Sequence, residues 1–280
     1  MKPMDGEGLL AFSGGSTGMV FAHPAHEWFT FAALLRLQPD LYYLSPGIFG
    51  KDGFEEAFRE KLAAIGFQGT VTFGAISETE IYERYLARDD DWFVTQRDAI
   101  AGWLGRLQPG LVFTDPFEWY NSAHDLVPLL VASAIESLPS QCPPISLAEH
   151  GVGVQTIARK ERVTHNWPSV QLTDDEVDRK RQFLRDMNGF FEDVAQGVND
   201  ELQDVVKDWG EPEYYTEYYR WARANQAFTQ PPEVGGWATY DQRGHLRVAA
   251  GRSQQAITFQ EHFAPLAAKL LRQDSMSTIG

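Results

Sequence analysis

The sequence predicts an α/β fold, a Rossmann-like, mostly parallel sheet with flanking helices, followed by a helical, aromatic-rich C-terminal part. Three observations point there. Short apolar runs alternate with amphipathic stretches through the first half, as in a parallel sheet with crossover helices. Gly and Pro fall between those segments, at Pro46-Gly47, Gly50, Gly53, Gly66, Gly69 and Pro109-Gly110. The 280 residues are 43% hydrophobic, enough to bury a core of that size.

Strands are expected at Gly18–Ala22, Leu41–Leu44, Thr70–Phe73, Leu111–Thr114 and Ile145–Leu147. Helices fit between them. His26–Leu37 sets Phe29, Ala33 and Leu37 on one stripe, Phe54–Ile65 repeats Phe54, Phe58 and Leu62, and Trp92–Leu107 carries Ile100, Trp103 and Leu107. Leu126–Ile135 reads as a further helix. Residues 1–150 thus form an α/β core, and residues 151–280 a C-terminal extension of the same domain.

In that extension, Arg159–Leu172 reads as extended or hairpin-like, and Thr173-Asp174-Asp175-Glu176 fits a capping box opening a helix through Val177–Gln196. Another helix is expected around Asp200–Trp209. Tyr214, Tyr215, Tyr218, Tyr219 and Trp221 cluster within Glu213–Phe228; such density suits a core or subunit contact better than a ligand cage. It leaves a homo-oligomer open. The last seven residues read as a frayed tail.

Twenty-four basic against thirty-nine acidic residues give a formal charge of −15, which repels phosphate backbones and anionic bilayers. Neither nucleic acid nor membrane is the expected partner; a small-molecule substrate is. Cys142 is the single cysteine, so this chain offers neither an internal disulfide nor a thiolate cage, and any metal must be held by His and carboxylates. Met1–Gly8 has no apolar leader pattern and Leu126–Ile135 is too short to span a bilayer, so a cytoplasmic location is expected.

In an open parallel sheet, ligands sit beyond the carboxyl ends of the strands. Directly after the first strand comes Ala22-His23-Pro24-Ala25-His26-Glu27. Two histidines at that spacing, one on the strand end and one in the first helical turn, can converge on a divalent cation. A third ligand is needed, and His124, at the strand-to-helix joint after Leu111–Thr114, is the best candidate. Zinc is the expected cation, with iron as the alternative.

These segments resemble the PIG-L/LmbE family of zinc-dependent N-deacetylases, over roughly residues 17–137. The family carries A-H-P-D-D-E where this chain has Ala22–Glu27. Tyr42-Tyr43-Leu44-Ser45-Pro46-Gly47 resembles its second strand and turn, and Arg59-Glu60 with Ala63-Ala64-Ile65-Gly66 its R-x-x-E helix. Gln108–Thr114 resembles its P-D-x-V-x-T strand, and Asn121-Ser122-Ala123-His124 falls at its H-P-D-H. The resemblance implies metal ligands at His23, His26 and His124.

It also exposes departures. Ala25 stands where the family has its general base, Asn121 where it has an oxyanion-stabilising His, and Ala123 where it has an Asp that orients imidazoles. His26 replaces an acidic ligand, so three neutral imidazoles would leave the cation its full +2 and make a bound water more acidic, as in carbonic anhydrase, where that pKa is about 7. The expectation is a metal-dependent hydrolase of divergent mechanism, acting on a C–N or related polar bond of a small metabolite through metal-bound hydroxide. The alternatives are a three-His oxygenase, lyase or isomerase, or a non-catalytic binding protein.

Replacement bases are sought among Glu27, Asp115, Glu118 and Asp125, with Asp115 first because it ends a strand on the ligand side. Glu27 is expected to accept a hydrogen bond from a ligating His, and Asn121 to donate to an oxyanion. Glu149-His150 follows the fifth strand on its carboxyl side; a surface place is expected for His150, with a place lining the pocket as the alternative. His165, His245 and His262 have no positional argument, and Ser13–Gly18 lacks the Lys of a phosphate-binding loop and reads as a flexible lead-in.

Overall fold

The structure, a computed structural model, describes residues 6–11, 15–46, 53–117, 119, 121–151, 167–190, 215–222, 228, 239–251 and 254–271. In chain order the elements are α1 (Gly6–Leu10), β1 (Thr17–Phe21), a 3-10 turn (Glu27–Thr30), α2 (Phe31–Leu37), β2 (Asp40–Tyr43), α3 (Phe54–Ala64), β3 (Val71–Phe73), α4 (Glu78–Ala87), α5 (Asp90–Leu107), β4 (Leu111–Thr114) and α6 (Ser122–Ser137). There follow β5 (Ser146–His150), β6 (Ser169–Gln171), α7 (Asp174–Phe190), β7 (Thr216–Trp221), α8 (Thr239–Ala249), a π-helical turn (Phe259–Phe263) and α9 (Ala264–Leu270).

The strands form one sheet in the order β3-β2-β1-β4-β5-β7-β6. β3, β2, β1, β4 and β5 are parallel, and β7 lies antiparallel to both β5 and β6. Every residue of β1 and β4 is buried, as strands covered on both faces must be. Their side chains alternate between two cores. Met19, Phe21, Leu111 and Phe113 face α2, α3 and α7, packing on Leu34, Phe58 and Phe183. Val20, Ala22 and Val112 face α5, α6 and α9, packing on Trp103, Val127 and Leu266. The result is a three-layer α/β/α body in which β1 and β4 are neighbours at the point where the strand order turns.

Local chemistry sets the helix starts. Ser77 caps α4 by accepting from Glu80 N, Asp89 caps α5 by accepting from Trp92 N, and Asn121 caps α6 by accepting from Ala123 N. The expected capping box before α7 is reciprocal: Thr173 N donates to Glu176 Oε2 at 2.8 Å and Glu176 N to Thr173 Oγ1 at 3.3 Å. Gly74 is required by close approach, since a Cβ there would lie 2.2 Å from the Leu44 carbonyl oxygen. Gly74 N donates to the Tyr43 carbonyl at 2.7 Å, which holds the chain leaving β3 against the carboxyl end of β2.

The five expected strands are present, four of them within a residue at each end, while β5 runs on through His150. Other boundaries differ. The helix expected from His26 opens as a 3-10 turn and becomes α-helical at Phe31, and α6 begins at Ser122, so His124 lies inside its first turn. α4 was not expected, although Ser77-Glu78-Thr79-Glu80 carries a capping-box pattern. The aromatic stretch supplies a strand, β7, whose Tyr219 is fully buried in the core. The helix at Asp200–Trp209, the chain at 159–166, Tyr214, Glu118 and His165 lie outside the described residues. No helix among the described residues is long and apolar enough to cross a membrane.

Candidate metal centre

His23 leaves the carboxyl end of β1, His26 precedes the 3-10 turn that follows, and His124 rises from the first turn of α6 after β4. The adjacency of β1 and β4 brings together side chains a hundred residues apart. One nitrogen from each ring lies within 4.8 Å of the others, and the ring centroids are 4.5–4.9 Å apart.

Hydrogen bonds aim these rings. His23 Nδ1 is 2.7 Å from the Pro24 carbonyl oxygen, which only accepts, so the proton sits on Nδ1 and Nε2 keeps its lone pair. That Nε2 is 2.9 Å from His124 Nε2. His26 Nδ1 donates to Asp115 Oδ1 at 2.7 Å, which leaves the lone pair on its Nε2. Burial, then the neighbouring His26 and His124, push the His23 pKa down to about 3, so it is a neutral imidazole near pH 7. The three imidazoles lie close enough together to suit a zinc ion, which takes nitrogen ligands at about 2.0–2.1 Å.

Asp115, 1% exposed, is the hub behind the cluster. Its Oδ2 accepts from Ala22 N at 2.8 Å, and its Oδ1 accepts from His26 Nδ1 and from His150 Nε2 at 3.0 Å. Burial alone would raise its pKa, but the two histidines and their hydrogen bonds outweigh that and hold it well below the usual carboxylate range. Three donors on one carboxylate suit it to orienting His26 and the β1 terminus. Asp115→Asn is expected to weaken zinc binding about 10–100-fold in competition with a chromophoric chelator; unchanged affinity would remove Asp115 from this role.

His150 is a correction to the sequence reading, which placed it on the surface. It is fully buried at the end of β5, where it pairs with Tyr219 of β7 and stacks on Phe29 with centroids 5.9 Å apart. Its Nδ1 has no hydrogen-bond partner among the described residues. Glu149 pairs with Arg220, whose guanidinium lies over the Trp167 ring at 4.2 Å. His245 is exposed and His262 part-buried, both on the far C-terminal helices.

Among the described residues, Glu27 hydrogen-bonds Ala25 and Tyr43 and none of the clustered histidines. Its carboxylate accepts from Ala25 N at 2.9 and 3.1 Å and from the Tyr43 hydroxyl at 3.0 Å, and burial raises its pKa to about 7. These bonds hold Ala25 at φ 93, a left-handed conformation that costs an alanine of order 1–3 kcal/mol. Glu27 therefore fixes the His-Pro-Ala-His loop. Asp125 is likewise engaged, accepting from Trp119 N at 3.1 and 3.2 Å.

Asn121 is part of a polar wall the sequence reading missed. Its Oδ1 accepts from Ala123 N and from the Tyr82 hydroxyl, both at 2.9 Å, and its Nδ2 donates to Glu78 Oε1 at 3.1 Å. Tyr82 also hydrogen-bonds Glu78 Oε1. Burial would raise the Glu78 pKa, but His23 first, then Tyr82, Asn121 and His124, draw it below the usual range. Beside the ring of Trp28, whose Nε1 has no partner among the described residues, Ala25, Phe29 and Leu184 close the other side of the loop with apolar surface.

No family model matches the chain, and no curated protein does. Among solved structures it is similar to N,N'-diacetylchitobiose deacetylase from Pyrococcus horikoshii, at 15% identity and a TM-score of 0.48 over 84% of this chain and 99% of that one. It is similar to the conserved protein TT1542 from Thermus thermophilus, at 16% identity and a TM-score of 0.45 over 75% and 95% of the two chains. It is also similar to GalB, the 4-carboxy-2-hydroxymuconate hydratase from Pseudomonas putida, at 16% identity and a TM-score of 0.40 over 75% and 97%.

Proposed function

We propose that this chain is a divalent-metal hydrolase, a divergent relative of the PIG-L/LmbE deacetylases, that cleaves a C–N or related polar bond of a small metabolite. The observation that carries this reading is the convergence of His23, His26 and His124, each from a loop or helix turn at the carboxyl edge of β1 and β4. The chemistry a bound zinc supplies is Lewis acidity toward a carbonyl and toward water. The protein's own contribution is preorganisation. Asp115 keeps His26 in one tautomer, the Pro24 carbonyl does the same for His23, and Glu27 locks the loop between them. The apolar wall of Trp28 and Leu184 keeps water from one flank.

The test begins with elemental analysis of protein purified without chelators, where about one zinc per chain is expected. Hydrolysis of simple N-acetylated amines, read as released amine, is expected to stop on dialysis against a chelator and return with zinc. Protein without stoichiometric divalent metal would sink the proposal, and iron with oxygen consumption would select oxygenase chemistry instead.

A further inference from the structure

The loop after β1 has no acid at position 25, and both oxygens of Asp115 are occupied by donors. A hydrolytic site still needs a group to take the proton of the attacking water and hand it to the departing nitrogen. Among the described residues one carboxylate beside the histidine cluster keeps an oxygen without a hydrogen bond. Glu78 sits in the first turn of α4, on the carboxyl side of β3. Its Oε1 takes both the Tyr82 hydroxyl and Asn121 Nδ2, while Oε2 takes neither. Asn121 caps α6 three residues ahead of His124, so the two helix starts lock Glu78 against the wall next to that ligand. Through Asn121 Nδ2, 3.1 Å from its Oε1, Glu78 is tied to the helix start that carries His124.

We propose that Glu78 is the catalytic general base and acid of this site, a carboxylate delivered from α4 in place of the one missing at position 25. This rests on the hydrolase reading above. In the forward step a water gives one proton to Glu78 Oε2 as its oxygen bonds to the carbonyl carbon, whose C=O electrons move to oxygen. When the C=O re-forms, the C–N bond breaks and the proton passes from Glu78 to nitrogen, which regenerates the carboxylate. Tyr82 and Asn121 are positioning residues that hold Oε1 so that Oε2 faces the reaction.

Two measurements on Glu78→Gln test this. On zinc-loaded protein and N-acetylated amines, kcat is expected to fall about 10²–10⁴-fold with metal content and KM little changed, with Glu78→Asp retaining part of the rate. A Glu78→Gln rate within threefold of the parent overturns the base role. The second readout needs no turnover. Acetate is titrated into cobalt(II)-substituted protein and followed by the visible spectrum. Removing the carboxylate charge beside the cation is expected to tighten acetate binding about five- to tenfold at low salt. Equal or weaker binding would mean that Glu78 does not face the open side of the cluster. Failure of the parent protein to take up cobalt would instead defeat the three-histidine reading itself.

Discussion

His124→Ala is expected to strip the protein of its metal while leaving the fold in place. Two imidazoles on one short loop cannot close a tetrahedral site, so the loss should exceed the roughly 10–100-fold that an orienting partner costs. The helix that carries His124 does not depend on that side chain. Asn121 caps it, Ala is a better helix former than His, and Leu126, Val127 and Leu130 bury its inner face. The apo melting temperature is therefore expected to stay near that of the parent. What should disappear is the rise in melting temperature on adding zinc, which a site saturated at a thousand times its Kd would contribute at about 4 kcal/mol. One zinc per chain in the purified variant would remove His124 from the centre.

Glu217→Ala is expected to cost about 3–5 kcal/mol of stability in urea unfolding. Glu217, 3% exposed on β7, accepts from Phe31 N at 2.8 Å, Ala32 N at 2.9 Å, Lys180 Nζ at 2.8 Å and the Tyr219 hydroxyl at 2.7 Å. It is at once the anion at the N-terminus of α2 and the partner of a buried ammonium from α7. Truncation removes the carboxylate paired with the Lys180 ammonium, which is 7% exposed. Pairing it with Lys180→Met should recover part of the loss, because the stranded charge is gone. A single-variant cost below about 1 kcal/mol would mean that water or a neighbour relieves Lys180.

The strands were legible because doubly covered parallel strands are continuous apolar runs, and Leu111–Thr114 or Leu41–Tyr43 can be little else. That His23, His26 and His124 lie together was legible because each sits in a strand-to-helix connection at the carboxyl side of such a run. Glu78 and His150 were not. Their surroundings depend on spatial neighbours that the local sequence does not encode: the close approach of Gly74 to Leu44, and the antiparallel pairing of β7 with β5. Glu27 shows the converse, a residue whose place in a motif suggested a histidine partner but whose carboxylate folds back on a strained backbone N–H two residues earlier.

The outermost described strands, β3 and β6, are each three residues long. A brief margin presents few unsatisfied main-chain groups on which another polypeptide could add itself, and Arg59 lies across the Phe73 ring at one of them. Fibril-like stacking through the borders of the sheet is thereby discouraged at both ends. A net charge of −15 favours dispersal of copies in dilute salt and allows close approach only as ions accumulate.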